Sequence, residues 1–213
     1  VEWTREHFSK PHVEMWYELN GISINRVGAH SDETQKSIMK TRSFQPTSSD
    51  KAYIFSELSK NIEGACHRAR EMGLSAREFS IFIKTKEFWY KRDWIRLALP
   101  TNDPFVVISE AKKMFEKLFD PGHVYRASGI TLSGLGPASQ GQEDLFGNSV
   151  AIKSRGEAFQ AVDRINRKYG RDLVHIASSL RAIRKEERTD KILPFLPTGM
   201  RRRLSVPFIG DVI

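Results

Sequence analysis

The sequence predicts an α+β fold: a four-stranded antiparallel sheet with two helices on one face. A short helical segment precedes it and a helical, basic extension follows. Three observations carry this. Apolar residues alternate at a period of two in 77–85 and 89–99. They recur at helical spacing in 50–72 and again from Pro104 onward. The segments follow one another as strand, helix, strand, strand, helix, strand, which is the ferredoxin-like split βαβ order.

Taken in order, residues 1–20 set Phe8, Val13, Trp16 and Leu19 on roughly one side, with Gly21 as a left-handed stop. Pro11 interrupts them, so two short helices are expected. Residues 22–35 are polar and read as a connector. The first strand, 36–44, is ambiguous, because Lys40 and Arg42 share a face with Ile38 and Phe44. The helix over 50–72 turns Ile54, Leu58, Ile62, Ala65, Ala69 and Met72 inward, with Ser49 to cap its start and Gly73 its end. Phe79, Ile81 and Ile83 share one face of the second strand. In the third, Ile95, Leu97 and Leu99 oppose Arg92, Trp94 and Arg96. The second helix opens near Pro104 and is expected to bury Phe105, Ile108, Phe115 and Leu118, ending before Pro121-Gly122. Residues 123–132 supply the last strand.

Residues 133–149 are rich in Gly, Ser and Gln, the composition of a flexible linker. Within them stands the island Gln142-Glu143-Asp144-Leu145-Phe146. Ser154 and Glu157 have capping-box spacing, opening a helix with Phe159, Val162, Ile165 and Tyr169 inward and Gly170 as its stop. A short strand over 173–178 and a very basic tail with Arg201-Arg202-Arg203 are expected after it.

Composition narrows the function. With 39% hydrophobic and 28% charged residues the chain is an ordinary globular protein. It holds no apolar run approaching the roughly 20 residues that span a bilayer and no N-terminal signal core. A cytoplasmic, bacterial fragment without a membrane partner is expected. Cys66 is alone, which excludes an internal disulfide, and no Cys/His spacing closes a zinc site. The net charge of +8 is uneven: basic blocks at 36–100 and 150–213 alternate with mildly acidic ones at 1–35 and 101–149. A polyanion touching two regions fits that pattern.

An active site is not legible. No clustered carboxylates for two-metal chemistry, no phosphate loop and no nucleophile-base arrangement stand in the sequence. The uncovered sheet face is the better signal, because Lys84, Arg92 and Arg96 suit a phosphate backbone and Trp94 is costly to leave in water. The island has its own physics: Leu145 and Phe146 can anchor in adjacent pockets, with Gln142 as a polar hook.

The runs ELNGIS (18–23), KSIMKTRSF (36–44), FSIFIKT (79–85), LPTNDP (99–104) and PGHVYRASGITLSGL (121–135) resemble Y-family, translesion DNA polymerases. The likeness is first to the UmuC-like branch and second to the DinB-like one. It implies that 1–35 is the end of a helical thumb with its connector. Residues 36–135 would be the little finger, a DNA-binding domain, and 136–149 a linker with a clamp-binding peptide. The basic extension is 150–213. It further implies that Ser37, Lys40 and Arg42 fall where first-strand template contacts lie, with Lys36 beside them as a further DNA-binding candidate, and that Gln142, Asp144, Leu145 and Phe146 form the sliding-clamp pentapeptide, with Glu143 where Leu is usual. Primed duplex DNA, a bacterial sliding clamp and a UmuD-like accessory subunit are the implied partners. The palm and fingers, with their Mg2+, would lie upstream, leaving these residues without a cofactor and without polymerase activity of their own.

Two other functions share features of the pattern. An RNA-binding RRM has the same element order, but 89–97 does not match its aromatic strand motif. A small-ligand regulatory domain would not need two basic blocks.

Overall fold

The computed structural model describes residues 1–24, 35–138, 148–170 and 172–185. Contacts divide the chain into two units, Val1–Gln35 and Lys36–Ile213. The first holds α1 (Glu2–His7) and α2 (Lys10–Leu19), with Pro11 in the first turn of α2. Pro there lacks an N–H that would be unpaired anyway, so it ends one helix and starts the next. Gly21 follows at φ +78°, and Arg5 donates to the Tyr17 hydroxyl at 2.8 Å.

The second unit runs β1 (Ser37–Ser48), α3 (Lys51–Glu71), β2 (Leu74–Thr85), β3 (Tyr90–Thr101), α4 (Pro104–Leu118), β4 (Tyr125–Pro137) and α5 (Asn148–Tyr169). The expected element order is present, and the strands are longer than alternation alone suggests. All pairings are antiparallel, in the sheet order β1-β4-β2-β3. Both crossovers are split. β1 and β2 run parallel with β4 between them, and β3 and β4 with β2 between them. The central pair is thus β2 and β4, a sheet order that departs from the ferredoxin-like one, whose centre is the first and third strands.

The core lies between one face of this sheet and α3 with α4. Ile54, Leu58, Ile62, Ala65 and Ala69 of α3 meet Phe79, Ile81 and Ile83 of β2, Ile130 and Leu132 of β4, and Val107, Ala111 and Phe115 of α4. The buried thiol of Cys66 sits among them, pushed up to about 12 by burial. It is an inert core atom at neutral pH.

Several expectations shift in detail. Asp50, not Ser49, caps α3, accepting from Ala52 and Tyr53 N–H at 2.9 and 3.2 Å. Met72, at the C-terminal end of α3, is exposed. The buried stripe of α4 is Pro104, Val107, Ala111, Met114 and Phe115. Ile108 and Leu118 flank it, and Phe105 lies off it, half-exposed, with its ring 5.4 Å from that of Phe159. Leu99, near the end of the edge strand, is exposed rather than inward.

Beyond the sheet, α5 docks on α3 and α4. Phe159 is buried, while Ile165 and Tyr169 turn outward, against expectation. The contact is largely polar, which is why apolar spacing misplaced its phase. Arg70 donates to both Asp163 oxygens, at 2.7 and 2.9 Å, and to the Asn102 carbonyl at 2.9 Å. Its guanidinium also lies 5.0 Å over the Phe159 ring. Arg155 pairs with Asp103, the N-cap of α4, at 2.8 Å.

The strand expected over 173–178 is instead a turn followed by a 3-10 turn, Ala177–Ser179. Side chains replace the ladder: Asn166 bonds both the N–H and the carbonyl of Val174, and Glu63 accepts from Ile176 N–H at 3.0 Å. Local side-chain bonds of this kind compete with sheet pairing. No helix among the described residues is long and apolar enough to cross a membrane.

Candidate nucleic-acid interface

The sheet face opposite α3 and α4 is built as four aligned rows, read across β1, β4, β2 and β3. They are Ser37-Ser133-Glu78-Arg96, Met39-Thr131-Ser80-Trp94, Thr41-Gly129-Phe82-Arg92 and Ser43-Ala127-Lys84-Tyr90. Because side chains alternate across a strand and paired residues share a side, this register fixes all sixteen positions on one face. β1 and the central strands supply short hydroxyls and glycine. β3 supplies Tyr90, Arg92, Trp94 and Arg96, and β2 adds Phe82 and Lys84.

The result is a shallow floor with a raised, positive margin. Lys84, Arg92 and Arg96 stand against a single carboxylate in these rows, Glu78, which lies 3.8 Å from Arg96. An exposed pair of that kind contributes little and is readily exchanged for another anion. Lys84 donates to the Tyr90 hydroxyl at 3.0 Å, with its ammonium 4.4 Å over the same ring. The floor is low because Gly129 must be Gly. A Cβ there would stand 2.4 Å from Phe82 Cε1 and 2.7 Å from Thr41 Cγ2. Gly129→Ala is expected to displace the Phe82 ring toward solvent and to cost about 1 kcal/mol, the low end for overpacking, since a half-exposed ring can move. A thermal melt against wild type checks it.

Lys84, Arg92, Trp94 and Arg96 therefore share the open face, as alternation predicts. The first strand divides. Ile38 and Phe44 are buried, so Lys40 and Arg42 lie with them on the α3 side, and Ser37 alone of the strand's candidates joins the open rows. Lys40 runs along Gly64 of α3, whose Cβ would stand 3.9 Å from its stem, and Arg42 Nε lies 3.8 Å from Glu57. Both are long enough to keep their charges at the margin of an edge strand. Lys36 precedes β1 and is exposed. Gln142, Asp144, Leu145 and Phe146 lie outside the described residues.

Sequence reasoning missed Tyr90, the hydroxyls of Thr131, Ser133 and Ser80, and the hairpin group in which Lys84 and Arg126 sit 4.7 and 4.2 Å from the Phe88 ring. The hydroxyls had a signal: Thr131 and Ser133 alternate with the core residues Ile130 and Leu132. Among the described residues, no three His, Cys, Asp or Glu side chains gather in a way that could hold a metal ion.

Fold and face together define an α+β domain with helices on one side of an antiparallel sheet and an open, cationic other side. The chain belongs to the impB/mucB/samB family, matching its C-terminal domain over residues 35–145, and so to the Y-family polymerases. It is 28% identical to DNA polymerase IV of Moorella thermoacetica over 75% of this chain and 39% of that protein. It is 23% identical to Protein UmuC of Salmonella typhimurium over 81% of this chain and 42% of that protein. The chain thus spans about two fifths of the length of these relatives. Among solved structures it is similar to the little finger domain of PolIV, in a complex with the beta-clamp processivity factor. That match is 15% identical with a TM-score of 0.37, over 52% of this chain and 98% of that one.

Proposed function

We propose that this chain is the DNA-gripping and clamp-tethering C-terminal region of an error-prone translesion polymerase, acting in damage tolerance. The observation that carries the DNA half is the four-row face. Phosphates are held by Lys and Arg, with hydroxyls and backbone N–H groups fixing register, and both kinds of donor stand here in one plane. Lys84, Arg92 and Arg96 are the proposed phosphate contacts. Lys36, Ser37, Lys40 and Arg42 serve the β1 margin. The tether is Gln142, Asp144, Leu145 and Phe146, toward a bacterial sliding clamp. A UmuD-like subunit, and a palm and fingers carrying Mg2+, belong to the same proposal.

The RRM alternative requires bases stacked on aromatics of the central strands. On the open face those strands offer Ser80, Thr131, Ser133 and Gly129 with Phe82 as their one aromatic, while Phe79 and Tyr125 are buried on the helix side. Hydroxyl-rich central strands favour backbone contacts over base contacts.

Duplex affinity measured across a salt series is the test. If about five phosphates are neutralised, log K falls against log salt with a slope of about −4 to −5. Arg92→Ala and Arg96→Ala are each expected to weaken every sequence alike and to flatten the slope by about one. Salt-independent binding, or loss confined to one sequence, contradicts backbone gripping.

A further inference from the structure

The outer strand of the open face carries exposed rings that duplex gripping does not use. Tyr90, Arg92, Trp94 and Arg96 stand in line on β3, aromatic and guanidinium by turns. Successive members are about 6.5–7 Å apart, two residues of strand rise. Trp94 is 66% exposed and Tyr90 57%. Beside Trp94 the row continues through Ser80 and Thr131, whose short side chains leave the indole uncovered. Past Tyr90, the hairpin adds Phe88 and Trp89, 60% and 74% exposed.

Phe88 holds φ +72° there, a conformation a bulky side chain adopts only at some cost in energy. Its ring centre lies 4.7 Å from the Lys84 ammonium and 4.2 Å from the Arg126 guanidinium. The Tyr90 ring is fixed too, 5.4 Å from Phe82 and under the Lys84 ammonium. These rings are displayed and positioned at once, an arrangement that lowers the cost of binding something flat.

We infer that the β3 edge, with its hairpin, is a stacking ladder for single-stranded DNA: bases lie on Tyr90 and Trp94, and phosphates meet Arg92 and Arg96. The alternation matches a polymer whose every unit carries one anion and one flat ring. Stacking platforms interleaved with cations are how unpaired strands are held without sequence preference. A duplex does not satisfy the rings, because its bases already stack on one another and present only edges to a groove. An acidic peptide would satisfy the guanidiniums and leave the rings in water. The inference deepens the proposed function by placing an unpaired stretch beside the gripped duplex, and the two share Arg92 and Arg96.

The experiment uses the whole chain and three labelled probes: an oligo-dT, an oligo-U of equal length and a blunt hairpin duplex. Wild type is expected to bind oligo-dT with quenching of tryptophan emission. Trp94→Ala and Tyr90→Ala are each expected to weaken oligo-dT binding by roughly five- to a hundredfold, the span of single-base stacking. Trp94→Phe restores most of it, and duplex binding by all three variants stays within about twofold of wild type. Oligo-dT affinity unchanged in both Ala variants overturns the ladder, as does duplex affinity falling in step with it. Tighter binding to oligo-U than to oligo-dT overturns the assignment to DNA. Failure of wild type on the hairpin duplex counts against the proposed duplex grip instead, so the two outcomes separate.

Discussion

Arg70→Ala is expected to release α5 from α3 at a cost of about 3–5 kcal/mol, the range for removing one partner of a buried ion pair. The Arg70 side chain is 9% exposed and that of Asp163 16%, so the change leaves a carboxylate stranded in a nearly dry contact. His67 Nδ1 also lies 2.9 Å from Asp163, but it lacks the two-pronged donor that Arg70 sets against both carboxylate oxygens. The readout is proteolysis of 138–170, which should rise about a hundredfold or more while the sheet stays protected, since docked elements open by themselves. Arg70→Leu combined with Asp163→Leu should cost less than either single change, because a packed apolar pair avoids the stranded charge. An α5 no more susceptible in Arg70→Ala than in wild type contradicts docking through this pair. The pair also sets an acid limit. Burial alone would push the Asp163 carboxyl up, but hydrogen bonds and charge from Arg70, with His67 beside it, hold it below the usual carboxylate value. A lowered folded value means its contribution is present above the ordinary carboxylate pKa and is lost as pH falls through the folded one. Protease protection of α5 should therefore fall with acid in wild type, below about pH 4, and change less in the double-Leu variant.

Replacing Leu145 and Phe146 together with Ala is expected to abolish binding to a bacterial sliding clamp. Burying two such side chains in preformed pockets contributes on the order of 2–3 kcal/mol each. Ordering the peptide offsets part of that, leaving roughly micromolar affinity. Glu143→Leu should tighten it, since an apolar side chain replaces a charge beside the anchors. The flanks of the peptide are held to one domain. Ala138 N–H donates to the Gly73 carbonyl at 2.9 Å, and Arg155 pairs with Asp103. A clamp titration beside a thermal melt checks all three proteins. Normal clamp binding by the double-Ala variant, or a melt far below wild type, would assign these residues to a core instead.

Much of the molecule is legible in the chain alone. The order of elements follows from periodicity, because a half-buried strand and an amphipathic helix each write their period into the residues. The open-face positions of Lys84, Arg92, Trp94 and Arg96 follow too, since β2 and β3 set apolar residues firmly on one side. β1 resists for a definite reason. Its two alternating sets, Ile38-Lys40-Arg42-Phe44 and Ser37-Met39-Thr41-Ser43, are each mixed, as an edge strand permits. Only packing against α3 buries Ile38 and Phe44 and carries Lys40 and Arg42 away from the open rows.

The sequence by itself determined the α+β class, the starts and stops of α3 and α4 to within a few residues, and the alternation on β2 and β3, whereas α5 opens at Asn148, well before the expected cap at Ser154. These depend on neighbours along the chain. Tertiary structure alone decided the sheet order β1-β4-β2-β3, the α3 side for Lys40 and Arg42, and the polar docking of α5 through Arg70 and Asp163. The physical reason is common to all three. Alternation says which residues share a face but not which face is covered or which strand lies alongside. A contact made by charges 93 residues apart leaves no local period to read.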